Sequence, residues 1–171
     1  MPPRLQIALP HGILGVRSEA NDGAFLFDLH AAVRADEFAA MPLDEAGRAM
    51  LMRTQFRAMR AGYQHDFPAA RFEIVTLNDE PIGNIITDVT DERVLYVDIA
   101  LLPRTRRLGV ATALMRALLK EPAGLGLPAR VSVMAHNIAS LALCQRLGFV
   151  PRATHPPFVE LEWRAAGEAS G

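Results

Sequence analysis

Apolar and polar residues recur along this chain with two periods, and the switch between them marks out its elements. "GILGVRSEA", from Gly12, reads as a first strand. From about Asp22 to Arg34, Phe25, Leu29, Ala32 and Val33 fall on one face at helical spacing. Pro42 and Asp44 mark a second helix start, and Met52, Phe56, Met59 and Tyr63 form its stripe; this helix is expected to end before "HDFP". The period then drops to two. "RFEIVTL" and "PIGNIITDVT" are strands joined by a hairpin turn at "NDE". In "RVLYVDIALL" the residues Leu95, Val97, Ile99 and Leu101 share one face, and Tyr96, Asp98 and Ala100 the other. A helix follows with Ala111, Leu114, Met115 and Leu118 as its buried stripe, and Pro122, Gly124 and Gly126 end it in a loop. "ARVSVMA" is a strand, "NIASLALCQRLG" a short helix closed by Gly148, and "FVELEW" a last strand. The order β-α-α-β-β-β-α-β-α-β-β predicts an α/β domain with a mixed sheet.

Composition narrows the function classes. With 171 residues, 50% hydrophobic and 22% charged, the chain suits one well-filled core. A single domain over 1–171 is expected, with 1–11 as an N-terminal extension and 165–171 as a frayed tail. The 18 basic and 19 acidic residues give a net charge of −1, which argues against a dedicated nucleic-acid surface. The single cysteine, Cys144, excludes an internal disulfide and fits a reducing compartment. No run approaches the ~20 apolar residues of a membrane span, and the start does not read as a secretion signal, so a cytoplasmic protein is expected. His11, His30, His65, His136 and His155 show no ligand-like spacing, and no metal is expected.

One local feature stands out against this neutral background. Arg104, Arg106 and Arg107 gather beside Gly109 where a helix must begin, although a helix N-terminus already carries positive partial charge. A strand turning through a basic, glycine-containing loop into a helix offers unpaired amides and charge to an anion such as a phosphate. Solvated surface arginines with a merely relaxing glycine are the other reading of so short a pattern. No G-x-x-x-x-G-K-[ST] or G-x-G-x-x-G accompanies it, and no G-x-S-x-G nucleophile turn is present.

"VDIALLPRTRRLGVATALMRALL" followed by "HNIASLALCQRLGFVP" resembles the acyl-CoA-binding core of the GCN5-related N-acetyltransferases (GNAT). That family's loop, Q/R-x-x-G-x-G/A, matches as Arg106, Gly109 and Ala111, and its Asn-initiated helix closing in L-G-F matches as Asn137 and Leu147-Gly148-Phe149. The resemblance covers about Val94 to Trp163, and in layout the chain is similar to a bacterial subgroup without an assigned acceptor. It implies a GNAT fold, with a mostly antiparallel sheet flanked by helices and a splayed central strand pair that binds acyl-CoA. It also implies acetyl-CoA as cosubstrate. Amides of Arg107, Leu108, Gly109, Val110, Ala111 and Thr112 would cradle the pyrophosphate, with Arg104 and Arg106 supplying charge. Backbone groups of Ile99, Ala100 and Leu101 would hold the pantetheine arm, the Leu101 amide would polarise the thioester carbonyl, and Asn137 would contact the cofactor.

The implied chemistry is direct attack of an amine on the thioester, which requires a proton acceptor. Asp98 and Tyr96, on one strand face leading to the cofactor, are candidates, with His136 a possible relay; packing or surface roles are the alternative for each. The family frequently places a tyrosine acid where this chain has Cys144, which is either a substitute acid or a small core residue. Acceptor binding in this fold usually involves the N-terminal helices and the last hairpin. That nominates Glu37 with Asp44 and Glu45, Gln55, Tyr63 and His65, and Phe158. The missing tyrosine also admits a non-catalytic acyl-CoA sensor or interaction module on the same fold. Such enzymes are often homodimers; neither nucleic acid nor membrane is expected as a partner.

Overall fold

The computed structural model describes residues 3–165. Its elements run β1 (Leu5–Leu9), β2 (Gly12–Ser18), α1 (Gly23–Val33), α2 (Ala35–Ala39), α3 (Glu45–Asp66), β3 (Arg71–Leu77), β4 (Glu80–Val89), β5 (Val94–Leu101), α4 (Val110–Leu118), α5 (Lys120–Leu125), β6 (Ala129–Met134), α6 (Ile138–Arg146), β7 (Val150–His155) and β8 (Phe158–Trp163). The strands hydrogen-bond in the order β1-β2-β3-β4-β5-β6-β8-β7. β1–β2, β2–β3, β6–β8 and β7–β8 pair antiparallel, and β5–β6 pair in parallel.

Two compact units make up the chain. One takes the chain up to Ile86 together with Asp98–Leu108. Its core is Leu14 and Val16 of β2, Leu26 and Leu29 of α1, Ile74 and Val75 of β3, and Ile85 and Ile86 of β4, all 4% exposed or less. Asp44 caps α3 as its sequence position predicts, with Oδ1 accepting from the Gly47 N–H at 2.8 Å. Phe27 and Phe56 pack edge to face between α1 and α3, with ring centroids 5.5 Å apart. Asn78 and Asp79 both adopt positive φ, at 51° and 66°, which is the backbone of a two-residue hairpin turn between β3 and β4.

The second unit takes Thr87–Val97 and the chain from Gly109 on. Val94 and Tyr96 of β5, Val110, Leu114 and Leu118 of α4, and Ala129 of β6 are almost fully buried. The end of α6 shows why "LGF" follows it. Gly148, at φ 91°, donates to the Gln145 carbonyl at 3.1 Å and Phe149 to that of Cys144 at 3.0 Å, closing the helix while Phe149 drops into the core.

Several expectations need correction. The stretch read as an N-terminal extension contains β1, paired with β2 from Leu5↔Val16 to Leu9↔Gly12. The α1 stripe is Leu26, Leu29 and His30, while Val33 is 44% exposed. A further short helix, α2, lies in the connection, and α3 runs on to Asp66 before Pro68 stops it. Pro122 does not open a loop; it sits in the first turn of α5, where its missing N–H costs nothing. In α4 the innermost residue of the first turn is Val110 rather than Ala111. The expected tail falls, beyond Ala165, outside the described residues.

Candidate active site

Past Leu101 the chain makes a 3₁₀ turn at Pro103–Thr105. Thr105, 6% exposed, fixes that turn: its hydroxyl and its N–H both donate to the Leu102 carbonyl, at 2.8 and 2.9 Å. Arg107 and Gly109 then adopt left-handed backbone, φ 64° and 74°. Gly109 is the N-cap of α4, whose first turn has no side-chain cap and no acidic residue. Its leading amides therefore lack a side-chain acceptor. A Cβ added to Gly109 would meet nothing within 4 Å, so open space lies before the main chain there. Arg104, Arg106 and Arg107 are exposed and enter no ion pair among the described residues. Open space, uncapped amides and unpaired guanidinium groups fit a polyphosphate. Arg104 also lines a cavity of about 290 Å³ with Glu80, Ile82, Thr105 and Leu108.

The other expected cofactor residues fall as follows. Ile99, Ala100 and Leu101 form the last part of β5 and are half-buried. The parallel ladder of β5 with β6 covers only Val94–Tyr96, although β5 continues to Leu101 and β6 to Met134. Leu108 is 44% exposed, Val110 is 1% exposed, and Ala111 and Thr112 are half-buried in the first turn of α4. Asn137 caps α6, its Oδ1 accepting from the Ser140 N–H at 3.1 Å.

Asp98 lies at the centre of a cluster that the sequence did not reveal. Its Oδ2 accepts a hydrogen bond from Asn84 Nδ2 at 2.8 Å. Loss of water pushes its carboxyl above the ordinary carboxylate range, opposed by the Asn84 hydrogen bond and by the charge of Arg60. Arg60 is held by Glu19, Nη2 to Oε1 at 2.5 Å, and its guanidinium lies 5.1 Å over the Phe72 ring. Tyr63, one turn further along α3, is pushed up to about 12, first by burial and then by the charge of Asp98. Asp98 and Tyr63 thus belong to one electrostatic neighbourhood. Gly83 lets β4 come close here: a Cβ on it would lie 2.3 Å from the Ala100 carbonyl oxygen. Asn84, Arg60 and Glu19 were missed because nothing in their spacing links them.

The remaining candidates are placed differently. Tyr96 is a core residue, 1% exposed, with its hydroxyl shielded from solvent. Cys144 is buried in α6 at 6% exposure, and burial pushes its thiol up. Glu37, on α2, is engaged by Arg34 through two contacts of 3.0 and 2.8 Å. Phe158 is 42% exposed and starts β8 opposite Met134 and His155. His136 is exposed in the turn before α6. Among the described residues no group of three or more His, Cys, Asp or Glu could hold a metal ion.

The family profile described as acetyltransferase (GNAT) family matches residues 36–149. The chain belongs to the GNAT acetyltransferase family. Curated proteins give no match. Among solved structures, the chain is similar to the PaiA N-acetyltransferase of Thermoplasma acidophilum in complex with coenzyme A, with TM-score 0.67, 14% identity, and 88% of this chain and 98% of that one covered. It is similar to the ribosomal-protein-S18-alanine N-acetyltransferase of Escherichia coli, with TM-score 0.59, 22% identity, and coverage of 92% and 99%. A third likeness is to the N-acetyltransferase PseH of Campylobacter jejuni in complex with acetyl coenzyme A, with TM-score 0.57, 16% identity, and coverage of 90% and 99%. The expected fold is borne out by the family and by the mostly antiparallel eight-stranded sheet. So is the enzyme class: this GNAT chain is an acetyl-CoA-dependent N-acetyltransferase.

Proposed function

We propose that this acetyltransferase acylates an amine acceptor by direct attack, with Asp98 as the proton-accepting base and the Arg104–Thr112 stretch as the phosphate cradle. The observation that carries the reading is the pair of left-handed residues, Arg107 and Gly109, ahead of an uncapped helix with open space at Gly109. When bound, acetyl-CoA supplies the acetyl thioester and departs as the free thiol. The amides of Arg107 to Thr112 would bind its pyrophosphate, and Arg104 and Arg106 its charge. Backbone groups of Ile99 to Leu101 would orient the arm, and the Leu101 amide would draw charge onto the acyl oxygen, a role often worth several kcal/mol of barrier. Asn137 keeps Nδ2 for the cofactor while Oδ1 caps its helix.

Asp98 suits a base because a desolvated carboxyl with a raised pKa holds a proton more readily than an exposed one. Tyr63, protonated throughout the neutral range, would orient the acceptor by donating from its hydroxyl. Glu37, in the same unit as Tyr63 and Asp98, would add an acceptor contact. The chain would act as a single acetyltransferase domain of a bacterial subgroup. A cytoplasmic location is supported by the buried free thiol of Cys144. β1, at one end of the strand order, offers an edge through which a homodimer would extend the sheet.

Calorimetric titration with acetyl-CoA, with free CoA and ATP as controls, tests the reading. Salt-sensitive binding that Arg106→Ala weakens about tenfold is expected, the loss of ~1.4 kcal/mol typical of one charged contact. A screen of small and peptide amines for CoA release then follows. A folded protein that binds no acetyl-CoA would overturn the assignment of the cradle.

A further inference from the structure

Asn84 is an unusual occupant of its strand. β4 is buried from Ile82 to Asp88, and Asn84 is only 5% exposed. A buried amide is costly unless it is hydrogen-bonded, and the bond it makes is to Asp98. A carboxyl group has two oxygens, and an amide N–H donated to Oδ2 takes one of its lone pairs and makes Oδ2 the less basic of the two. An arriving proton is thereby directed to Oδ1. The charged groups acting on Asp98 come from other elements. Arg60 on α3 stabilises its anion. Glu19, after β2, neutralises Arg60 in part across 2.5 Å. Tyr63 on α3 shares the neighbourhood and is itself influenced by Arg34 and Arg60.

We propose that Asn84 is the positioning residue for Asp98, holding Oδ2 so that Oδ1 receives the proton of the acceptor amine, and that the Glu19–Arg60 pair is the fixed counter-charge that sets how readily Asp98 takes it. The proposal rests on Asp98 being the base. In the step concerned, the amine nitrogen bonds to the acyl carbon as the carbon–sulfur bond breaks. The nitrogen's surplus proton passes to Asp98 Oδ1, and the departing sulfur is protonated from solvent. Arg60 without Glu19 would hold Asp98 as a weaker base, and Asp98 without Asn84 would lose both its orientation and a donor that favours its charged form.

The two halves of the device move Asp98 in opposite directions, which a merely structural role would not do. The protein is labelled with carboxyl-¹³C aspartate, the Asp98 signal is assigned by its loss in Asp98→Asn, and its titration is followed by NMR. In Asn84→Leu the midpoint should move to higher pH, and in Glu19→Gln to lower pH. With the best amine from the screen, the acidic limb of the kcat/KM profile should shift the same way in each variant. Turnover by Asn84→Leu should fall by about ten- to a hundredfold, with the Kd for acetyl-CoA unchanged. Should Asn84→Leu misfold, the downward shift in Glu19→Gln still tests the counter-charge; an unmoved midpoint there overturns it. Wild-type midpoint and turnover in Asn84→Leu, with Asp98→Asn inactive, overturn the role of Asn84 and leave the base in place. Full turnover by Asp98→Asn removes the base and the positioning proposal together.

Discussion

Between Arg104 and Thr112 nine consecutive residues shape the proposed phosphate cradle, whereas the surroundings of Asp98 are drawn from Glu19, Arg60, Tyr63 and Asn84, spread over sixty-six residues of chain. The first site is made mostly of backbone: two left-handed φ angles and the uncapped start of a helix. The second is made of side chains whose positions depend on strand pairing and on how α3 lies in its unit. A backbone site advertises itself locally, since only certain residues tolerate those angles. A side-chain site becomes visible once the long-range pairings exist. Under the proposed mechanism the two would also divide the work, one holding charge still and the other moving a proton.

The largest expected effect separates the sites at the cradle. Gly109→Val should lower acetyl-CoA affinity at least about a hundredfold, or ~2.7 kcal/mol, because a β-branched side chain fills the space before the amides. No protein atom would clash with the new Cβ, so the fold should lose only the ~1–3 kcal/mol of forcing a side chain to φ 74°. Calorimetry and thermal unfolding together check this. Normal affinity in the variant would show that the open space is not the phosphate site.

Asp98→Asn should do the reverse, leaving acetyl-CoA binding intact while kcat falls by about a hundredfold, the usual contribution of a general base. Its stability effect carries a definite sign. The folded-state pKa of Asp98 is raised, so between the ordinary carboxylate value and that raised value the folded protein binds more protons than the unfolded chain. Stability therefore falls as pH rises through that window, and at neutral pH Asp98 is a burden on the fold. The asparagine variant should melt higher than wild type at pH 7, with the gap closing as the pH drops toward about 4. Matching melting curves at both pH values would mean that Asp98 is not desolvated.

The same contrast explains what could be read from the sequence. The strand–loop–helix order, the hairpin at Asn78–Asp79, the Asp44 cap and the basic, glycine-containing turn before α4 were legible because each is encoded within a few residues. β1 was not, since "LQIAL" is short and bounded by prolines, and its strand state comes from pairing with β2. Tyr96 and Asp98 alternate on β5 as one face, yet Tyr96 is shielded in the core while Asp98 meets polar partners. Period two assigns a face to a residue, but not the neighbour it finds there. Arg107 is the instructive intermediate: the loop pattern leaves its position free, yet its backbone takes a left-handed angle, φ 64°, of the kind glycine tolerates best.

Cys144 sharpens the comparison from the side where least should change. It occupies the place where the family frequently puts a tyrosine acid, but it is 6% exposed and its thiol is pushed up by burial. A thiol so held is protonated at neutral pH, and in that limited sense it could serve as a proton donor. A donor must also reach the departing sulfur, and a side chain packed into the core is poorly placed to move toward it. Cys144→Ala should therefore keep kcat within about twofold and cost ~1 kcal/mol of stability, the ordinary price of a small core truncation. Cys144→Tyr should be worse than Cys144→Ala, because a ring forced into that space overpacks it by ~1–3 kcal/mol. Turnover and melting temperature decide the matter together. A fall in kcat beyond tenfold for alanine with stability nearly unchanged would make the thiol a working acid, and would give this enzyme a second side-chain group for moving protons beside Asp98.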